Sequence, residues 1–176
     1  AVKMHHGLAQ RPSGEPLYMH LLTVGYIVLD YNTEEATLLG ALFHEAVKGD
    51  QLLLEHIKQA YAKEVWNVIQ LLQELARDKQ RFFTMRLSAA DNIQPFLAIR
   101  DPRALYIQIA DRLHDMRTID ALPSTYQQQL AEETLLFIVP LSRELGLEEA
   151  AEELARLSAR VLNRELSSPK HTCSKD

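Results

Sequence analysis

Four side chains in this sequence are candidates to hold a divalent cation: His20, His44, Glu45 and Asp111. His20 stands near the start of the first helical pattern, and His44 and Glu45 are adjacent at the end of the second. Asp111 is in the middle of a long apolar segment, YIQIADRLHDM. An ionised Asp among Ile109, Ala110 and Leu113 is costly to bury unless a cation or strong donors offset it. The adjacent Arg112 is the simpler compensator. Mixed imidazole and carboxylate ligands suit Mn, Fe or Zn better than Ca or Mg. Such a cation polarises a phosphoryl oxygen and acidifies water. A single His on an apolar helix is more often a hydrogen-bonded core residue, so spacing alone leaves both readings open.

The elements that must position these residues are helical. The opening HHGLAQRPSGEP is loop, punctuated by Gly7, Pro12, Gly14 and Pro16. A helix is expected from about Pro16 to Asp30, with Pro in its first turn. Asn32, Thr33, Glu34 and Glu35 supply capping chemistry for a second helix that stops near Gly49. Asp50 then caps QLLLEHIKQAY, and KEVWNVIQLLQELAR follows. Leu53, Ile57 and Tyr61, then Val65, Ile69 and Leu72, keep the helical period. Over 77–100 the pattern is weaker, and Pro95 divides whatever helix lies there. From Asp101-Pro102 a long helix carries the stripe Leu105, Ile109, Leu113 and Met116. A further helix spans about Tyr126 to Leu145 and ends at Gly146. LEEAAEELARLSARVLNREL comes last, with enough apolar surface to pack on its own core or on a partner.

The totals set limits. The chain has 176 residues, 47% hydrophobic, with a formal net charge of −5. That is one domain's worth of ordinary globular composition. No basic run exists to release counterions from a polymeric nucleic acid, which is therefore not expected as a partner. A small anionic substrate needs only a few local Lys or Arg residues. The lone Cys173 has no partner for a disulfide. The longest nearly apolar run, Leu21 to Leu29, is too short to cross a bilayer. No membrane partner is expected, and the expected location is cytoplasmic.

SGEPLYMH, then LLGALFHEAV, then DPRALYIQIADRLHDMRT, then EETLLFIVPLSRELG resembles, in order and spacing, the hydrolase domain of the RelA/SpoT family. The resemblance covers about residues 5–166, and ADRLHDMRT is its most specific piece. It implies an all-α, multi-helical HD-domain bundle. It also implies a manganese-dependent hydrolase that removes the 3′-pyrophosphate of guanosine tetra- and pentaphosphate. His20, His44 and Asp111 match family ligands outright. Glu45 replaces the family Asp, its extra methylene moving the carboxylate by ~1.5 Å.

The family's water-activating pair, in H-D-x-x-E-D, departs further. Here Lys48 replaces the Glu and Gly49 replaces the Asp. A lysine is no general base near neutral pH unless burial lowers its pKa by several units. Asp50, one position beyond, is either a substitute base or the helix cap; the cap is favoured. Of the family's nucleotide contacts, Arg11, Ser13 and Thr118 remain, whereas Asp115 replaces an Asn and would repel phosphate. Arg112 and Arg117 could partly offset that, although Arg112 with Asp111 or Asp115 also reads as a surface ion pair. His114, at i+3 from Asp111, is read as packing or as standing behind the ligands. His56 and His171 are read as solvated, His5-His6 as a loop accident, and Trp66 as core.

The expectation is one HD-type domain over 1–166 and a polar, disordered tail over 167–176. Three functions stay open. The first is a hydrolase domain, inactive or weak, kept for regulation or binding. The second is an active Mn-dependent phosphohydrolase of altered substrate range. The third is a helical domain with a vestigial, metal-free pocket. The expected partners are a guanosine-type nucleotide and a protein partner or synthetase domain.

Overall fold

The computed structural model describes residues 9–45, 51–82 and 101–166. Helices follow the apolar periods: α1 (Leu17–Val28), α2 (Glu35–Phe43), α3 (Gln51–Ala60), α4 (Lys63–Phe82) and α5 (Arg103–Arg117). After a 3₁₀ turn at Ile119–Ala121 come α6 (Ser124–Glu133), a π-helical turn at Thr134–Ile138, α7 (Val139–Glu144) and α8 (Glu148–Leu166). No strand occurs among the described residues, and the protein is all-α as expected. No described helix is long and apolar enough to cross a membrane. Pro95 and the tail over 167–176 lie outside the described residues.

The centre is α5. Its expected stripe, Leu105, Ile109, Leu113 and Met116, is buried, and so are Ala104, Ile107 and Ala110 on its other sides. A helix buried all round must be covered all round. Accordingly, α1, α2 and α4 pack on one part of α5, and α8 packs on another, with α6 and α7 bound to α8. The apolar face of α8 (Ala151, Leu154, Val161) is buried in this same core, not left for a partner. Asn32 caps less directly than its sequence suggests: its Oδ1 accepts from the Glu34 N–H at 2.9 Å, while Glu34 itself is the N-cap residue of α2. Trp66 is partly buried against the core.

The segment before α1 is a tight hairpin. Gly14 N–H donates to Arg11 O and Arg11 N–H to Glu15 O, both at 2.9 Å. Pro12 and Ser13 occupy the turn, and Gly14 takes φ +81°, where a side chain would be strained. Leu17 N–H then donates to Ala9 O at 2.8 Å, satisfying one free amide at the start of α1. This turn places the Arg11 and Glu15 side chains beside each other, 3.5 Å apart, at the mouth of α1.

Where α2 crosses α4 and α5 the backbones approach through Gly40. A Cβ there would lie 2.6 Å from Val68 Cγ1 and 3.0 Å from Ile107 Cδ1, both on buried, stiff side chains. Gly40→Ala therefore gains up to ~1 kcal/mol of helix propensity but overpacks a filled crossing. The expected net effect is destabilisation of ~1–3 kcal/mol, read as a lower urea midpoint. An unchanged or raised midpoint would show that α2 can slide away from α4.

Candidate metal centre

Three helices deliver the four candidate ligands to one point. His20 is in the first turn of α1, His44 and Glu45 follow the last turn of α2, and Asp111 is mid-way along α5. His20 Nε2 lies 3.2 Å from His44 Nε2, 3.2 Å from Asp111 Oδ1 and 3.7 Å from Glu45 Oε1. His44 Nε2 lies 3.4 Å from Glu45 Oε1 and 3.5 Å from Asp111 Oδ1. A cation with bonds of ~2.0–2.2 Å sets neighbouring ligand atoms roughly 3–3.5 Å apart. The donors fit that spacing, and the added methylene of Glu45 leaves its carboxylate inside the group.

The tautomer of His44 is fixed by its helix. Its Nδ1 is 2.6 Å from the Ala41 carbonyl oxygen, so Nδ1–H donates there and Nε2 is the nitrogen that faces the cluster. Burial alone would lower the pKa of His44, but the carboxylates of Asp111 and Glu45 outweigh it and push it up to about 10. His20 is raised by the same contest between burial and the carboxylates of Asp111 and Glu45. Two imidazoles drawn towards positive charge by two carboxylates form a cation-seeking site, which fits a divalent metal. Metal entry must displace the protons.

Behind His20, Arg11 Nη1 is 2.7 Å from His20 Nδ1 and 2.6 Å from His114 Nδ1, and the Arg11 guanidinium also pairs with Asp115. His114 is buried, and burial together with the charges of His20 and Arg11 lowers its pKa to about 4, leaving a neutral ring. Burial raises the pKa of Asp115, as does the nearby Asp111, against the pull of Arg11.

Arg112 corrects a sequence expectation. It is no surface ion pair: it is 4% exposed and donates to Leu130 O at 3.1 Å, Thr134 Oγ1 at 3.0 Å and Glu133 at 3.3 Å. Consecutive residues on a helix face different directions, so Arg112 reaches the π turn while Asp111 faces the imidazoles. Arg117 likewise pairs with Glu153 on α8 at 2.8 Å. Thr118 Oγ1 donates to the His114 carbonyl at 3.1 Å, at the end of α5. Ser13 is exposed, its Oγ accepting from Glu15 N–H at 3.4 Å. His56 is exposed. Lys48, Gly49 and Asp50, as well as His5, His6, His171 and Cys173, lie outside the described residues.

A cleft of about 660 Å³ opens over the cluster. Arg11 and Asp115 line it, as do Gln108 from α5 and Tyr126 and Gln129 from α6. Ser13, Arg117 and Thr118 are not among its lining residues. Nothing in their sequence context singles out Gln108, Tyr126 or Gln129 as cleft residues. Among the described lining residues four carboxylates face two guanidiniums, and each guanidinium is paired with a carboxylate.

A family model for the HD domain matches residues 1–148. The chain is similar to GTP pyrophosphokinase rsh of Brucella ovis, 31% identical over 160 residues, covering 90% of this chain and 21% of that protein. It is 33% identical over 160 residues to a probable GTP pyrophosphokinase of Mycobacterium leprae, covering 90% and 20%. It is 31% identical over 159 residues to a probable guanosine-3′,5′-bis(diphosphate) 3′-pyrophosphohydrolase of Synechocystis, covering 89% and 21%. The chain thus spans about a fifth of the length of these curated relatives.

A ligand bound only by the folded state raises stability by ~2.7 kcal/mol at a hundred times its Kd. A divalent metal ion is therefore expected to raise the melting temperature of this protein by several degrees in a thermal-shift titration. Asp111→Asn, which keeps the shape but removes the charge, should abolish most of that rise.

Proposed function

The chain belongs to the HD-domain family, of RelA/SpoT type, and on that footing we propose that it holds a divalent metal while hydrolysing guanosine tetra- or pentaphosphate weakly or not at all. It serves as a binding or regulatory domain for such nucleotides, in the cytoplasm and beside a synthetase domain or other protein partner. The observation that carries this reading is the convergence of four donor atoms, from His20, His44, Glu45 and Asp111, at 3.2–3.7 Å. That donor set suits Mn²⁺, the ion that the resemblance implies.

A divalent ion held there supplies Lewis acidity towards a phosphoryl oxygen and makes water more acidic. The rest falls to the chain's own residues. With Lys48 and Gly49 in place of the acidic pair, no carboxylate stands at those positions to take a proton from water, and loss of a general base costs ~10²–10⁴ in rate. Asp115 adds negative charge to the cleft and engages Arg11, the cation that could otherwise meet a phosphate. Binding of a polyphosphate therefore leans on the metal's charge.

One observation favours a second reading, an active phosphohydrolase of altered substrate range: Glu45 reaches the cluster despite its length, so the ligand set is complete, and Asp50 would then be the base.

A manganese-supplemented hydrolysis assay separates the two. Little or no pyrophosphate release from guanosine tetraphosphate is expected, and the double variant Lys48→Glu with Gly49→Asp should raise release by at least ~10²-fold. Catalytic release by the unaltered protein would overturn the weak-hydrolase reading and point to Asp50. In a separate titration, Asp115→Asn removes a like charge and one of the carboxylates that engage Arg11. It should tighten nucleotide binding by ~10-fold, equivalent to about 1.4 kcal/mol, as read by calorimetry.

A further inference from the structure

His20 belongs to two groups of side chains at once, because its ring nitrogens face opposite ways. Nε2 looks into the four-donor cluster. Nδ1 looks away from it, 3.0 Å from His114 Nδ1, and His114 Nε2 lies 3.4 Å from Glu15 Oε1. Glu15, His20 and His114 thereby form a second set of donor atoms within 4.8 Å of one another. Arg11 Nη1 sits in its midst, 3.5 Å from Glu15 Oε2.

The proton arithmetic of these groups is restrictive. A neutral imidazole that ligates through Nε2 carries its hydrogen on Nδ1, and that hydrogen needs an acceptor. Arg11, 2.7 Å from His20 Nδ1, is a donor only. His114 Nδ1 is the acceptor at hand, provided that His114 carries its own hydrogen on Nε2, where Glu15 Oε1 receives it. Both rings are buried, His20 at 2% and His114 at 5% exposure, so bulk water is no substitute. In the opposite arrangement Arg11 donates to His20 Nδ1. The His20 hydrogen then sits on Nε2, aimed at Asp111, and that nitrogen cannot ligate.

We propose that Glu15 and His114 are positioning residues that act in series, Glu15 on His114 and His114 on His20, to hold His20 in the tautomer that binds metal. Arg11 is the competing donor for the same His114 nitrogen. The inference rests on the metal reading above and adds to it a role for two residues outside the ligand set. The backbone supports the arrangement. His114 follows Asp111 by three residues on α5, so a ligand and the residue behind another ligand share one helix face. Glu15 is held at the mouth of α1 by the turn at Gly14.

The test compares Mn²⁺ affinity, read from the electron paramagnetic resonance signal of free Mn²⁺, among the full chain and its His114→Leu and His114→Asn variants. Asn places its Oδ1 near the Nδ1 position and keeps an acceptor; Leu does not. Loss of such a supporting contact typically weakens metal binding ~10–100-fold. That loss is expected for His114→Leu, most of the affinity should return in His114→Asn, and Glu15→Ala should give a smaller loss. Circular dichroism without metal checks that each variant folds. If His114→Leu does not fold, His114→Asn and the imidazole nitrogen spectrum of the Zn²⁺-loaded unaltered protein carry the test. That spectrum should show the hydrogen of His20 on Nδ1. Equal affinity in His114→Leu and the unaltered protein, equal losses in the Leu and Asn variants, or a hydrogen on Nε2 of His20 would overturn the relay alone. Failure of the unaltered protein to bind any metal would overturn the metal reading and the relay with it.

Discussion

Asp111 is an acid set into a helix buried on several sides, and much of the described architecture answers to it. Its neighbours Ala110 and Leu113 are buried, which ties the helix into the core, and the carboxylate itself is only 19% exposed where it lines the cleft. A charge in that setting costs several kcal/mol unless it is met by opposite charge or by good donors. Two imidazoles meet it, one from α1 and one from α2, with Glu45 adding a second carboxylate on the same side. Their excess of negative charge draws His20 and His44 towards protonation. A divalent ion can take the place of those protons without disturbing the packing.

The other polar residues of α5 are settled in the same way, each by a different element. Arg112 is received by the junction of α6 and α7. There a π turn widens the helix just ahead of Pro140, which has no N–H to continue the regular ladder. Its contacts are the Leu130 carbonyl, the Thr134 hydroxyl and the Glu133 carboxylate. Arg117 reaches Glu153 on α8, and Asp115 reaches Arg11 in the hairpin before α1. A buried arginine left without its acceptors would be strongly destabilising, so the contacts of Arg112 hold α6 against α5 as well as neutralising charge. The helix that carries the ligand is thereby also the one that locks the bundle.

The cleft inherits its character from these pairings. Both described guanidiniums that line it are engaged by carboxylates, so on the proposed reading a phosphorylated ligand would be drawn chiefly by an ion held at the cluster. The Arg11–Asp115 pair joins the lining of the cleft to the back of His20. Metal occupancy, the tautomer of His20 and the position of Arg11 are then linked through a few hydrogen bonds.

The sequence by itself determined the elements. The 3.6-residue apolar period, the Pro-Ser-Gly turn and the glycine after α7 are local properties of a chain, and each has a local physical cause. Candidate ligands were legible as well, since His20, His44, Glu45 and Asp111 are polar groups on apolar helices. Only the tertiary structure decided their company. Adjacency suggested that Arg112 compensates Asp111, yet side chains one residue apart on a helix point about 100° apart, and packing gave the two different neighbours. His114 read either as packing or as standing behind the ligands, and the hairpin decided between the two by setting Glu15 against His114 and both behind His20. Such meetings depend on where helices cross, and crossings are fixed by the whole core, from the absent side chain at Gly40 to the apolar face of α8, not by any short stretch of sequence.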